Sequence, residues 1–136
     1  MNMQYNDIVK FNGELGRVIT YGNEFKFHPM NYGTYFPQEL ETITDQTAEP
    51  ASFAEKIEFI TKTFTWGRVV DVHTIGEYQF VAYIRDRNVL FSSFINFNSI
   101  CRSEDSLDKA LVGVIAHKVD GCNSRAAEYF TKMIGL

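Results

Sequence analysis

The last third of the chain carries the pattern that most restricts its fold, two consecutive amphipathic helices joined by one turn. In the first helix apolar residues recur at intervals of three and four, the spacing of one helix face: Leu107, Ala110, Leu111, Val114 and Ile115. Gly121 ends that helix. The second helix has a packing face made of Ala126, Ala127, Phe130 and Ile134. Since such a hairpin must bury its apolar faces against another layer, the rest of the chain is expected to supply a sheet.

Two stretches of the sequence have the pattern of antiparallel strands. Residues 68–97 alternate with a period of two, and turns at residues 75–76 and 85–88 divide them into three strands. Near the N-terminus, Asn12-Gly13 and Gly22-Asn23 separate three further apolar runs. These runs predict strands over residues 7–12, 15–21 and 24–28. The run DIVKFNGELGRVI, residues 7–19, also suits a small SH3-like barrel, and this interpretation and a meander on a larger sheet both stay open.

One helix is predicted between the two meanders. Ser52 and Glu55 form a capping box, in which each side chain accepts a hydrogen bond from the other residue's backbone amide. Phe53, Ile57, Ile60 and Phe64 then follow at helical spacing over residues 53–64, and Gly67 stops the helix. Ser103 or Ser106 is expected to cap the first C-terminal helix.

The predicted fold class is α+β. It has two antiparallel β-meanders with about six strands, one middle helix and the C-terminal two-helix hairpin. A length of 136 residues fits a single domain, 1–136. Within it, residues 1–50 form the N-terminal meander and an aromatic loop over 29–50. Residues 51–136 form the middle helix, the second meander and the helical hairpin.

Charge and composition restrict the classes of partner. Thirteen Lys and Arg against seventeen Asp and Glu give a formal net charge of −4. Proteins that coat nucleic acid usually carry the opposite charge, so nucleic-acid binding is not expected. The sequence lacks a signal peptide and an apolar run long enough to span a membrane, so a cytoplasmic protein is expected. Twelve Phe and seven Tyr are hard to bury in one small core. A homo-oligomer, a dimer or larger, is therefore expected.

The best candidate for a ligand site is the start of the last helix. Helix starts offer free backbone N–H groups and partial positive charge, which suit a phosphate. Four residues there have fitting side chains or backbone: Gly121, Asn123, Ser124 and Arg125. Arginine can bind a phosphate through two hydrogen bonds. An ordinary capped turn with a solvated arginine is the alternative for the same sequence.

Three residues before the hairpin complete the predicted ligand-binding set. Arg102 follows a strand and is expected to reach a ligand held at Arg125. Phe97 can stack a base and Asn98 can pair with its edge, because both are predicted at the end of the last strand. A core phenylalanine and a turn asparagine are the alternatives.

No residue set in the sequence predicts a reaction. Asp71 and His73 share a strand face, but no third or fourth residue has metal-ligand spacing. No G-x-S-x-G, P-loop, G-x-G-x-x-G or H-E-x-x-H motif occurs, and no catalytic residue, metal or cofactor is predicted. A small enzyme using a cysteine–histidine pair with Cys101 or Cys122 stays an alternative.

The C-terminal pattern resembles one family of small phage proteins. SLDKALVGVIAHKVDGCNSRAAEYF, after an antiparallel meander, is similar in plan to the anti-Thoeris sponge proteins, over about residues 68–136. The resemblance implies an oligomeric, non-enzymatic anti-defence protein that sequesters a cyclic ADP-ribose isomer in a bacterial host. By it, Arg125, with Phe97 and Asn98, would hold a phosphate-bearing nucleotide. A protein–protein inhibitor of a host enzyme is the alternative, suggested by the negative charge and the aromatics of residues 31–37.

Overall fold

The computed structural model describes residues 2–30 and 36–111 of the chain. These residues form mostly antiparallel β-sheet with few helices, an α+β protein, as the sequence predicts at that level. The chain divides into two compact units, Met1–Thr63 and Phe64–Leu136. The expected single domain stays a prediction. The predicted helices beyond residue 111, and with them the two-helix hairpin, lie outside the described residues.

The first unit contains a five-stranded antiparallel sheet. Its strands are β1 (Ile8–Phe11), β2 (Glu14–Tyr21), β3 (Glu24–Pro29), β4 (Thr42–Ile43) and β5 (Glu49–Pro50), in the order β4-β3-β2-β1-β5. Asn12 and Gly13 both have positive φ angles, 51° and 81°, which is the geometry of the two-residue hairpin turn predicted there. The order is a four-strand meander whose fifth strand returns to the first, and it is compatible with the SH3-like alternative.

Alternate residues of these strands form the core of the first unit, as the two-residue period of a strand requires. The buried cluster consists of Met3, Val9, Val18, Phe27, Ile43 and Ala48. Phe11 packs on its edge, with its ring centroid 5.2 Å from that of Phe27. A 3₁₀ turn, Pro37–Glu39, precedes β4.

The middle helix, α1 (Phe53–Thr63), belongs to the first unit. Its capping box is confirmed: Glu55 N donates to Ser52 Oγ at 3.1 Å, and Ser52 N donates to Glu55 Oε1 at 2.9 Å. The predicted apolar face is partly wrong, because Phe53 is exposed and the buried pair is Phe59 and Ile60. The guanidinium of Arg17 in β2 lies 5.0 Å from the Phe59 ring centroid, a cation–π contact that ties the helix to the sheet.

Ser52→Ala is expected to lower the free energy of unfolding by about 1 kcal/mol, because it leaves the Glu55 amide without its side-chain acceptor. Thermal unfolding followed by circular dichroism measures this loss. Ser99→Ala in a strand removes the same hydroxyl group away from any helix start, and serves as the control. Equal effects of the two substitutions would contradict a capping role for Ser52.

The second unit contains a four-stranded antiparallel sheet in the order β6-β7-β8-β9. The strands are β6 (Arg68–Ile75), β7 (Tyr78–Arg85), β8 (Asn88–Ile95) and β9 (Asn98–Glu104). A bulge interrupts the pairing of β6 with β7 between Val69 and Asp71. The prediction of three strands here, and of about six in all, was too low, because residues 98–104 form a fourth strand and β4 and β5 are additional short ones.

The β7 strand is buried on both faces and organises the core of the second unit. On one face Tyr78 and Phe80 pack with Ile75 and with Ala110 and Leu111 of the helical residues 107–111. On the other face the Tyr83 ring lies 4.7 Å from that of Phe64.

The start of the helical residues 107–111 settles which serine caps them. Ser106 Oγ accepts a hydrogen bond from Lys109 N at 3.2 Å, so Ser106 has the predicted capping position. Ser103 does not cap the helix. It lies in β9, and its hydroxyl is hydrogen-bonded to that of Tyr83.

Candidate functional site

The predicted site residue Phe97 lies in a tight turn and not at the end of the last strand. Asn96 and Phe97 connect β8 to β9, with φ angles of 47° and 63°. A positive φ is uncommon for a bulky residue. Tertiary contacts hold it here, since Phe97 N donates to the buried Gln79 Oε1 at 2.7 Å and Asn96 N donates to Glu77 O at 2.7 Å. The Phe97 side chain is only 6% exposed, so in this structure it packs in the core.

Asn98 and Arg102 both lie in β9, four residues apart. At the rise of a strand this separates their backbones by about 13 Å. Asn98 Nδ2 donates to Asn96 O at 3.2 Å, which closes the turn. The structure therefore gives Phe97 a hydrogen bond to Gln79 of β7 and Asn98 one within the turn, and it places Arg102 towards the other end of β9. Their role in ligand binding stays a prediction.

The remaining predicted site residues lie outside the described residues. These are Gly121, Asn123, Ser124 and Arg125, the proposed phosphate-binding helix start. Cys122, one of the two cysteines of the alternative cysteine–histidine enzyme, lies outside them as well, whereas Cys101 lies in β9.

The first unit has a concave surface that the sequence analysis missed. One cavity of about 310 Å³ lies among β1, β3 and the 3₁₀ turn. Its apolar walls are Phe11, Phe27, Pro29 and Leu40, and its polar lining is Asn12, Glu14, Glu39 and Glu41. The three carboxylates come from different elements: Glu14 opens β2, Glu39 ends the 3₁₀ turn and Glu41 directly precedes β4.

A second cavity of about 380 Å³ adjoins the first, because Glu14 and Pro29 line both. Its other lining residues are Lys10, Gly13, Leu15, Met30, Glu55 and Glu58. The two cavities together are called the Glu14 groove. The Glu14 groove thus combines apolar walls with an anionic lining.

Only part of the negative charge in the Glu14 groove is paired. Lys10 Nζ lies 3.1 Å from Glu55 Oε2, and Lys62 Nζ lies 2.6 Å from Glu58 Oε1. The Ser52 amide and then Lys10 hold the pKa of Glu55 below its usual value, while its bond to Glu55 raises the pKa of Lys10. Within the described residues, Glu14, Glu39 and Glu41 have no ion-pair or hydrogen-bond partner for their side chains.

The distribution of charge along the chain could have revealed this surface. Residues 1–63 hold nine Asp and Glu against five Lys and Arg, whereas residues 64–136 hold eight of each. The whole excess of negative charge therefore belongs to the first unit. Since residues 64–136 carry no net charge, the second unit does not repel a phosphate-bearing ligand through its net charge.

Comparisons of the chain with protein-family models, curated proteins and solved structures found no match. Within residues 2–30 and 36–111, no group of three or more His, Cys, Asp or Glu side chains is placed to hold a metal ion. None of the helices in the same residues is long and apolar enough to cross a membrane.

Proposed function

We propose that the chain is a non-enzymatic binding protein that sequesters a small phosphorylated nucleotide signal, such as a cyclic ADP-ribose isomer. The observation that carries the proposal is the sequence from Gly121 to Arg125. There a glycine, two hydrogen-bonding side chains and an arginine stand at a predicted helix start. The even charge balance of residues 64–136 is compatible with an anionic ligand. The resemblance to anti-Thoeris sponge proteins motivates the choice of nucleotide.

The finer architecture belongs to the same proposal. The helical residues 107–111 continue into the first helix of a C-terminal two-helix hairpin, which brings Arg102 and Arg125 to one ligand. Two or more copies close the pocket, as an anti-defence protein encoded by a phage and acting in the bacterial cytoplasm. This arrangement requires the Asn96–Phe97 turn, and the half-buried Asn98 that follows it, to stand near the ligand.

Arg125→Ala is expected to weaken nucleotide binding by at least about tenfold, since it removes a charge-assisted contact to phosphate. Isothermal titration calorimetry with cyclic ADP-ribose isomers and cyclic dinucleotides measures the change. Arg85→Ala is the matched control, because Arg85 is an exposed arginine at the end of β7. Unchanged affinity in Arg125→Ala, or no binding of any of these nucleotides to the unmodified protein, would refute the proposed site.

A second candidate function, a protein–protein module that inhibits a host enzyme, is favoured by the first unit. Its Glu14 groove is anionic, and Phe36, the residue that precedes the 3₁₀ turn of the groove, is 59% exposed. Exposed aromatic side chains next to a concave surface are typical of protein interfaces. Affinity purification from host lysate distinguishes the two candidates: a stoichiometric protein partner with no retained nucleotide supports the module. A bound nucleotide seen in the ultraviolet spectrum and mass of the purified protein supports sequestration.

A further inference from the structure

We infer that the Glu14 groove binds a lysine- and arginine-rich peptide segment of a partner protein. This inference does not depend on the nucleotide proposal. It rests on the second candidate function and names the chemistry of the partner that the module would take. The two are separable because the groove lies in the first unit, whereas Arg125 lies in the second.

The charge of the groove selects a cationic partner. Glu14, Glu39 and Glu41 surround one cavity that has no basic residue among its described lining. In the adjoining cavity the only described basic residue is Lys10, and Glu55 pairs with it. Unpaired carboxylates at a surface attract basic groups and speed their association. The excess of acidic over basic residues in 1–63 acts in the same direction.

The walls of the groove select side chains with long aliphatic stems. Phe11, Phe27 and Leu40 provide apolar surface directly beside the carboxylates. Lysine and arginine side chains can lay their methylene groups on such surface while their charged heads reach the surrounding carboxylates. The groove is thus amphipathic in the same way as the side chains proposed to enter it. A hydrated metal ion would use the carboxylates but leave the apolar walls without a partner.

The size and placement of the groove favour a peptide over a single small cation. Cavities of about 310 and 380 Å³ lie side by side, each within the size range of sites for small molecules. The unpaired carboxylates are carried by β2, by the 3₁₀ turn and by the residue before β4, so they are distributed around the groove. Distributed negative charge matches several cationic groups borne on one extended chain.

Binding of a fluorescein-labelled octalysine peptide, followed by fluorescence anisotropy in low salt, tests the inference. The triple variant Glu14→Gln, Glu39→Gln and Glu41→Gln is expected to bind about tenfold more weakly, because each exposed charge contributes modestly. All three side chains are exposed, so the fold should persist, and circular dichroism checks that it does. Raising the salt to 0.5 M should weaken binding to the unmodified protein, since salt screens exposed charges.

A second triple variant controls for net charge. Asp45→Asn, Glu49→Gln and Asp86→Asn remove the same three charges from exposed positions outside the lining of the groove, and should leave affinity within about twofold. Among single variants, Glu14→Gln should have the largest effect, because Glu14 lines both cavities. The single variants also keep the test decisive if the groove triple variant does not fold.

Three results would overturn the inference: no binding of octalysine to the unmodified protein, equal weakening by both triple variants, or equal affinity for spermine. The last would mean that a small polycation, and not a peptide, is the ligand. Arg125→Ala should leave octalysine binding unchanged. Loss of nucleotide binding with retained peptide binding, or the reverse, therefore identifies which of the two proposals has failed.

Discussion

Phe80→Ala is expected to lower the free energy of unfolding of the second unit by about 3–5 kcal/mol. Phe80 is fully buried in the middle of β7 and packs in one cluster with Tyr78, Ala110 and Leu111. Its removal deletes contacts within this cluster, which joins the sheet to the helical residues 107–111, and leaves a cavity that the rigid sheet cannot close. A loss of this size is a large fraction of the stability of a small protein, about 5–15 kcal/mol.

The single tryptophan provides the measurement for Phe80→Ala. Trp66 belongs to the second unit, and its ring lies 5.9 Å from that of Phe64, so its fluorescence in urea reports unfolding there. Val89→Ala in β8 is the control. Val89 is half exposed, and its substitution should cost no more than about 0.5 kcal/mol. A similar urea midpoint for the two variants would contradict the assignment of Phe80 to the core.

Gly16→Ala is expected to destabilise the first unit by about 1–3 kcal/mol through overpacking. In β2 the position lies against β3, so an added Cβ would meet the Phe27 ring at 2.7 Å and also the carbonyl oxygen of His28. The neighbouring backbone is fixed in the strand ladder and cannot withdraw without breaking pairing. The expected result is a lower thermal midpoint, measured by far-ultraviolet circular dichroism.

Thr20→Ala provides the comparison for Gly16→Ala. Thr20 is exposed in the same strand, and its substitution should change the free energy of unfolding by no more than about 0.5 kcal/mol. If Gly16→Ala is as stable as Thr20→Ala, then β2 and β3 do not approach each other as closely as the structure places them.

The features that sequence predicted well depend on few neighbouring residues. The capping box of Ser52 and Glu55 uses two side chains three positions apart, and the Asn12–Gly13 hairpin uses the backbone preference of its own two residues. The coarse α+β class followed similarly from hydrophobic periodicity. A few neighbouring residues determine each of these features, so the sequence alone is enough to predict them.

The features that sequence missed depend on residues distant in the chain. Asn96–Phe97 contains no glycine, and its asparagine only allowed a turn as an alternative; the hydrogen bond that holds Phe97 there comes from Gln79, distant in the chain. The end of the sheet was therefore placed one strand too early. The Glu14 groove likewise joins Phe11 to Glu39 and Glu41 across more than 25 positions. Sequence spacing gives no sign of that meeting, and only the charge excess of residues 1–63 pointed towards it.

The bulge between Val69 and Asp71 affects how readily a foreign strand can pair with the edge of the second sheet. The β6 strand forms one edge of that sheet, and an uninterrupted edge presents a row of backbone groups on which a foreign strand can grow into an aggregate. A bulge breaks the regular spacing of those groups, and Asp71 adds an exposed charge beside it. The bulge and the charge thus disfavour edge-to-edge pairing of β6 with other chains. This lowers the tendency of a chain rich in aromatic residues to form fibrils.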